Sequence, residues 1–135
     1  MQIKLMAILL LLSTTLHATP VDDLLAEYRS TGVESFSAEN GKVLWSQEFT
    51  DAKTGKIRQC TTCHTADLRN EGKHARTGKV IKPLAPSANP KRLTKLKKIR
   101  KWFKRNCKWT VGRECTAQEK GDILLFIQNF NGEQQ

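Results

Sequence analysis

The sequence contains two methionines, Met1 and Met6, and none after them. It has one tyrosine and three histidines, and its longest apolar run is Leu5 to Leu12. A run that short cannot cross a ~30 Å hydrocarbon core, so a membrane-spanning helix is excluded. No segment alternates apolar and polar residues convincingly, which argues against a sheet-based fold. No internal repeat is present, which excludes a solenoid. At 135 residues the chain suits one domain and is too short for a large enzyme with its site between two domains. What is abundant is positive charge: 23 Lys and Arg stand against 13 Asp and Glu, a formal net charge of +10. The 39% hydrophobic share is modest but enough for a core.

The amino terminus has the anatomy of a secretory signal: Lys4, the apolar run from Leu5, then Leu16-His17-Ala18 ending on a small residue. Cleavage is expected after Ala18, which divides the chain into a signal peptide, 1–18, and an exported domain, 19–135. Cleavage would remove both methionines and His17, leaving His64 and His74 as the exported domain's histidines.

The exported domain is expected to be all-α. Val21, Leu24, Leu25 and Tyr28 recur at helical spacing after Pro20. Ser37 is placed to cap a second helix with Val43, Leu44 and Trp45 on its apolar side. Gly41 inside that helix costs stability but lets another backbone come close. Residues 50–56 read as polar loop. Residues 65–92 hold Gly72, Gly78, Pro83, Pro86 and Pro90, an irregular stretch of the kind that serves function or wraps around something. Pro90 is expected to open a third helix with Leu93, Leu96, Ile99, Trp102 and Phe103 as its stripe. Thr116 and Glu119 form a capping box before a final helix with Ile123, Leu124, Ile127 and Phe130 buried.

Cys60-Thr61-Thr62-Cys63-His64 carries the chemistry. C-x-x-C-H is the attachment pattern for c-type haem: two thiols add to the vinyl groups as thioethers, and the adjacent imidazole meets the iron. Export agrees with it. A thioredoxin-like motif would need a neighbouring βαβ pattern, and a structural zinc site a second close cysteine pair. Cys107 and Cys115 are too far apart for that pair and are expected to form a disulfide in an oxidising compartment. Closing so short a loop stabilises by roughly 2–3 kcal/mol in the chain-entropy model.

His64 is the expected proximal ligand, with an acceptor for its second nitrogen sought near Pro83 and Leu84. Methionine, the usual distal ligand of electron carriers, is absent from residues 19–135. That leaves His74, a lysine, Tyr28, an asparagine, or no sixth ligand. His74 reads more readily as a solvated loop residue among Lys73 and Arg76. Asn106 falls on the apolar stripe of the third helix, at i+7 from Ile99, i+4 from Trp102 and i+3 from Phe103. Periodicity leaves two roles open for it, iron ligand or helix C-cap.

Taken together, Cys60–His64, Arg76-Thr-Gly-Lys79, Pro83-Leu-Ala-Pro-Ser87, Lys101-Trp102, Arg105-Asn106-Cys107, Gly112-Arg113, Cys115-Thr116 and Glu119-Lys120 resemble the sphaeroides haem protein (SHP) family, the oxygen-binding monohaem cytochromes c. The resemblance covers most of residues 19–135, with the region before Cys60 matching in outline. The stretch from His64 to Gly78 departs by one residue in length, which touches His74 and not Asn106. The resemblance implies a class I cytochrome c-like fold, a Cys107–Cys115 disulfide, and Asn106 as ligand to ferric iron. An amide oxygen is a hard, neutral donor that suits ferric better than ferrous iron. Reduction should therefore release it and open a site for O2, NO or CO.

Lys91, Arg92, Lys95, Lys97, Lys98, Arg100, Lys101, Lys104, Arg105 and Lys108 lie in a stretch without an acidic residue. This is at once a solvated helix face and a surface able to steer an acidic redox partner. Reduction that slows steeply with salt would mark steering. The resemblance implies a dihaem cytochrome c or a membrane cytochrome b as that partner. Export argues against nucleic acid, and a monomer or weak dimer is expected. Arg76 and Lys79 are candidates to meet haem propionates. Three functions follow: a periplasmic electron acceptor that binds a diatomic gas when reduced; a plain bis-histidine electron carrier using His74; or a haem enzyme acting on O2, NO or a nitrogen species. The second differs from the first in having a reduced spectrum unmoved by CO, and the third in turnover.

Overall fold

The computed structural model describes residues 17–132, so nearly all of the expected signal peptide lies outside it. Four helices carry the fold: α1 (Pro20–Arg29), α2 (Ala38–Ser46), α3 (Leu96–Thr110) and α4 (Ala117–Gln128). Two small antiparallel ladders interrupt the loops, β1 (Phe49–Thr50) with β2 (Ile57–Arg58), and β3 (Gly72–Lys73) with β4 (Val80–Ile81). The expectation of no strands fails at these four. Each is two residues long, and such pairs leave no periodic trace in the sequence.

The helix starts follow from side chains that satisfy orphan backbone N–H groups. Thr19 and Asp22 form a reciprocal capping box at α1, and Val21, Leu24, Leu25 and Tyr28 are its buried face. The Ser37 hydroxyl accepts from the Asn40 N–H at 3.2 Å to cap α2. Thr116 and Glu119 close the box at α4. Glu119 also receives both terminal nitrogens of Arg113, each at 2.8 Å.

The Arg113 hydrogen bonds, helped by those from Thr116, hold the Glu119 carboxyl down at about 2, below its ordinary 4.5. A depressed carboxylate stabilises the fold above its unfolded pKa, and that contribution is lost as pH falls from about 4.5 towards 2. Glu119→Gln should therefore flatten the urea-midpoint profile across that window. A variant profile as steep as wild type's would show that the pair does not govern acid sensitivity.

Helix α2 crosses α4, and α1 packs on α4 beside it. The crossing is closest at Gly41, where a β-carbon would stand 2.2 Å from the Asp122 carbonyl oxygen and 2.8 Å from the Phe126 β-carbon. That is the close approach its sequence position suggested. Asp122 is buried, and its carboxylate accepts from the Ser37 N–H at 2.7 Å and from Gln118 at 2.9 Å, tying the start of α2 to α4. Trp45, Leu68, Ala85, Ile123, Phe126, Ile127 and Phe130 form one core cluster. The α1 face, Ile99 and Leu124 form a second, and Leu93 and Phe103 pack against both.

Two helix expectations are corrected. Val43 is 61% exposed, and α2 buries Gly41 and Trp45 instead, because the α4 contact falls on that stripe. Helix α3 begins at Leu96, not just after Pro90, because Leu93 adopts a left-handed backbone (φ 57°) that a helix cannot continue through.

Candidate functional site

Cys60–Thr62 form a single 3₁₀ turn, and the His64 N–H donates to the Cys60 carbonyl at 3.0 Å. This turn puts two unpaired thiols and the imidazole in one compact unit. Cys60 packs against the Trp45 cluster, and burial pushes its thiol up to about 11. Gly72 lies under the turn, where a β-carbon would meet the Cys63 carbonyl oxygen at 2.2 Å. The Lys73 N–H donates to that same carbonyl at 2.8 Å.

His64 is held from α2. The Trp45 ring lies 5.5 Å from the His64 ring, centroid to centroid, and the Trp45 indole N–H donates to the Thr65 carbonyl at 3.3 Å. Burial, reinforced by the nearby Arg92 charge, brings the imidazole down to about 4. It is therefore neutral at ordinary pH, the form in which histidine ligates a metal.

The Pro83 carbonyl, in the region where an acceptor for His64 was sought, accepts from Asn89 Nδ2 at 3.1 Å and from Arg92 Nε at 2.7 Å. Arg92 also donates to the Lys82 carbonyl at 2.5 Å. In the sequence Arg92 is indistinguishable from the other cations of its basic run.

Asn106 lies inside α3. The helix runs on to Thr110 and its C-cap is Val111, so Asn106 is not the cap. Its side chain is exposed and makes no hydrogen bond among the described residues. Helical spacing sets it on one stripe with Trp102 and Trp109, which are 47% and 38% exposed. The next residue, Cys107, has its Cα 5.6 Å from that of Cys115 and its sulfur within bonding distance of the partner sulfur.

His74 sits in the tight connection between β3 and β4. Its Nδ1 accepts from the Arg76 and Thr77 N–H groups at 3.3 and 3.2 Å. That leaves the proton on Nε2, the nitrogen a metal would need bare. Arg76 and Lys79 are exposed in the same connection. Tyr28 is buried on α1, and its hydroxyl is raised to about 12 chiefly by burial.

These residues fit a covalently held haem. Two free thiols share one turn, the adjacent imidazole is neutral, and large apolar side chains stand uncovered at Ile57, Val80, Trp102 and Trp109. An α-helical chain with crossing helices and this turn is a c-type cytochrome bearing one haem. Residues 31–127 match a family described as a domain of unknown function, DUF1924. The chain is 42% identical over 104 residues to the cytochrome c-type protein SHP of Cereibacter sphaeroides, covering 77% of this chain and 79% of that one. It belongs to the SHP family of c-type cytochromes. It is also 35% identical over 94 residues to cytochrome c'' of Methylophilus methylotrophus, 70% of this chain and 65% of that one. Among solved structures, oxidised SHP, described as an oxygen-binding cytochrome c, superposes with a TM-score of 0.73 at 40% identity, covering 82% of this chain and 97% of that chain. Oxidised cytochrome c'' gives 0.73 at 30% identity, covering 82% and 94%.

Proposed function

We propose that this chain is an exported electron acceptor that holds its haem through Cys60, Cys63 and His64, closes the sixth position with Asn106 when oxidised, and binds a diatomic gas when reduced. The haem supplies an iron that takes one electron and can accept a gas. The two cysteines fix the macrocycle against the Trp45 cluster, and His64 stays neutral and ready to ligate.

The observation that carries the reading is Asn106 itself. It lies within α3 and caps nothing, and its amide has no hydrogen-bond partner among the described residues. Its oxygen is the hard donor that suits ferric iron. Once released, its N–H₂ is a donor for a bound ligand. The Cys107–Cys115 disulfide anchors the segment immediately behind it. The bis-histidine alternative is disfavoured by His74, whose Nδ1 is committed to its own turn. A haem enzyme would reveal itself by turnover of O2, NO or a nitrogen species.

The basic face of α3 suits an acidic redox partner, with a dihaem cytochrome c or a membrane cytochrome b as the donor. Among the described residues no helix is long and apolar enough to cross a membrane. The periplasm is the compartment this reading requires.

The test is the optical spectrum of the holoprotein, ferric and then reduced, before and after CO. A high-spin ferrous spectrum that shifts with CO is expected. Sharp low-spin bands unmoved by CO would overturn the open-site reading.

A further inference from the structure

We infer that Arg58 is a positioning residue for the distal ligand: it ties the haem-attachment segment to the end of α3, and so sets how firmly Asn106 closes on ferric iron. The inference rests on the proposed reading of Asn106 as that ligand. Arg58 is the last residue of β2, just ahead of the turn that opens at Cys60. Its guanidinium reaches across to α3, 51 residues away in sequence, and donates from Nη1 to the Trp109 carbonyl at 2.7 Å. The same group lies over the Trp109 ring, 4.5 Å from its centroid. Trp109 is one helical turn beyond Asn106 in α3.

Both ends of this link are firm. Arg58 Nη2 pairs with Asp51 Oδ2 at 2.8 Å, and the two side chains are only 20% and 17% exposed. The other Asp51 oxygen accepts from the Thr54 N–H at 2.8 Å and from the Thr54 hydroxyl at 2.7 Å, which closes the β1–β2 turn. On the far side, the Trp109 carbonyl belongs to the last turn of α3. Carbonyls there lack a helical partner, and the helix dipole favours a cation. The start of α3 has no such help: its N-cap, Lys95, makes no side-chain cap, and its first turn holds no acid. The end of the helix that bears Asn106 is thus held twice, by the Cys107–Cys115 disulfide behind it and by Arg58 towards the attachment turn.

A planar fork can meet a carbonyl, a carboxylate and a ring face at once, which a single ammonium cannot. The attachment turn and Asn106 sit on segments far apart in the chain. The amide reaches the iron only while the spacing between those segments is kept, and preorganised sites tolerate errors of only about 0.5 Å. Loosening the Arg58 link should therefore open the ferric site more often.

The test is optical titration of the ferric holoprotein with imidazole, which competes with Asn106 for the iron. Wild type, Arg58→Gln, Arg58→Lys, Asn106→Ala and the double variant of Arg58→Gln with Asn106→Ala are compared, each first checked for covalent haem. Apparent affinity falls with the fraction of sites that are closed, so Arg58→Gln should bind imidazole about tenfold more tightly than wild type. Arg58→Lys keeps a cation for Asp51 but loses the fork, and should show a smaller rise. Once Asn106 is gone, Arg58→Gln should add nothing further, because both substitutions act on one bond. If Arg58→Gln and Arg58→Lys leave the affinity unmoved, or if the rise persists undiminished without Asn106, the inference is overturned and Arg58 only braces the hairpin. If Asn106→Ala alone binds imidazole as wild type does, the ligand reading itself fails, and the inference with it.

Discussion

Asn106→Ala is expected to abolish the native ferric spectrum while leaving the reduced, gas-free spectrum unchanged. In the proposed reading the amide ligates the ferric iron alone, so its removal should be invisible once the iron is reduced and carries no gas. The side chain is exposed and makes no contact that holds α3 in place, so the fold should survive. Helix propensity even improves slightly on going from asparagine to alanine. Loss of the ferric signal therefore could not be blamed on unfolding, and an unchanged melting curve is the control. A ferric spectrum identical to wild type's would remove Asn106 from the iron. The search would then move to a lysine or to an unligated ferric state.

Gly41→Ala should be the most damaging single substitution in the helical frame. A methyl group at this position meets a backbone carbonyl at 2.2 Å, and neither α2 nor α4 can rotate it away. Overpacking of this kind costs about 3 kcal/mol at the upper end of the usual range. That is a fall in Tm of roughly 12 °C for a domain of this size. Gly121 is the internal control. A β-carbon there meets the ring of Phe36, a side chain that can swing aside, so Gly121→Ala should cost distinctly less. Thermal melts of the two loaded variants decide the matter. If Gly41→Ala melts within about 3 °C of wild type, the helix crossing is looser than its geometry indicates.

Much of this architecture was legible from residue types alone, for reasons that can be named. C-x-x-C-H has one dominant chemistry. Thr116 and Glu119 report a helix start because few other pairs satisfy two backbone donors at once. Gly41 was legible because a glycine inside a helical pattern needs a packing reason. What escaped depends on contacts between segments distant in the chain. The periodicity from Leu93 to Phe103 continues unbroken across a residue that is left-handed, so the true start of α3 was hidden. Val43 is apolar, but the stripe that meets α4 passes through Gly41 and Trp45. Asp122 is buried only because α2 covers it, and no local pattern marks that. Arg92 differs from its basic neighbours only in having two carbonyls to hold.

The placement of Asn106 in the middle of α3, just ahead of a cystine, has one further consequence. If Asn106 ligates as proposed, its departure needs only side-chain rotation, an event of picoseconds to nanoseconds. An amide also neither takes up nor loses a proton in any ordinary pH range. A departing histidine or lysine would capture a proton from water as it left, and would tie the electron to acidity. Ligand exchange at Asn106, in the reading proposed above, would instead be an electron-only event. Its redox state would then report on the supply of electrons without also reporting on the surrounding acidity.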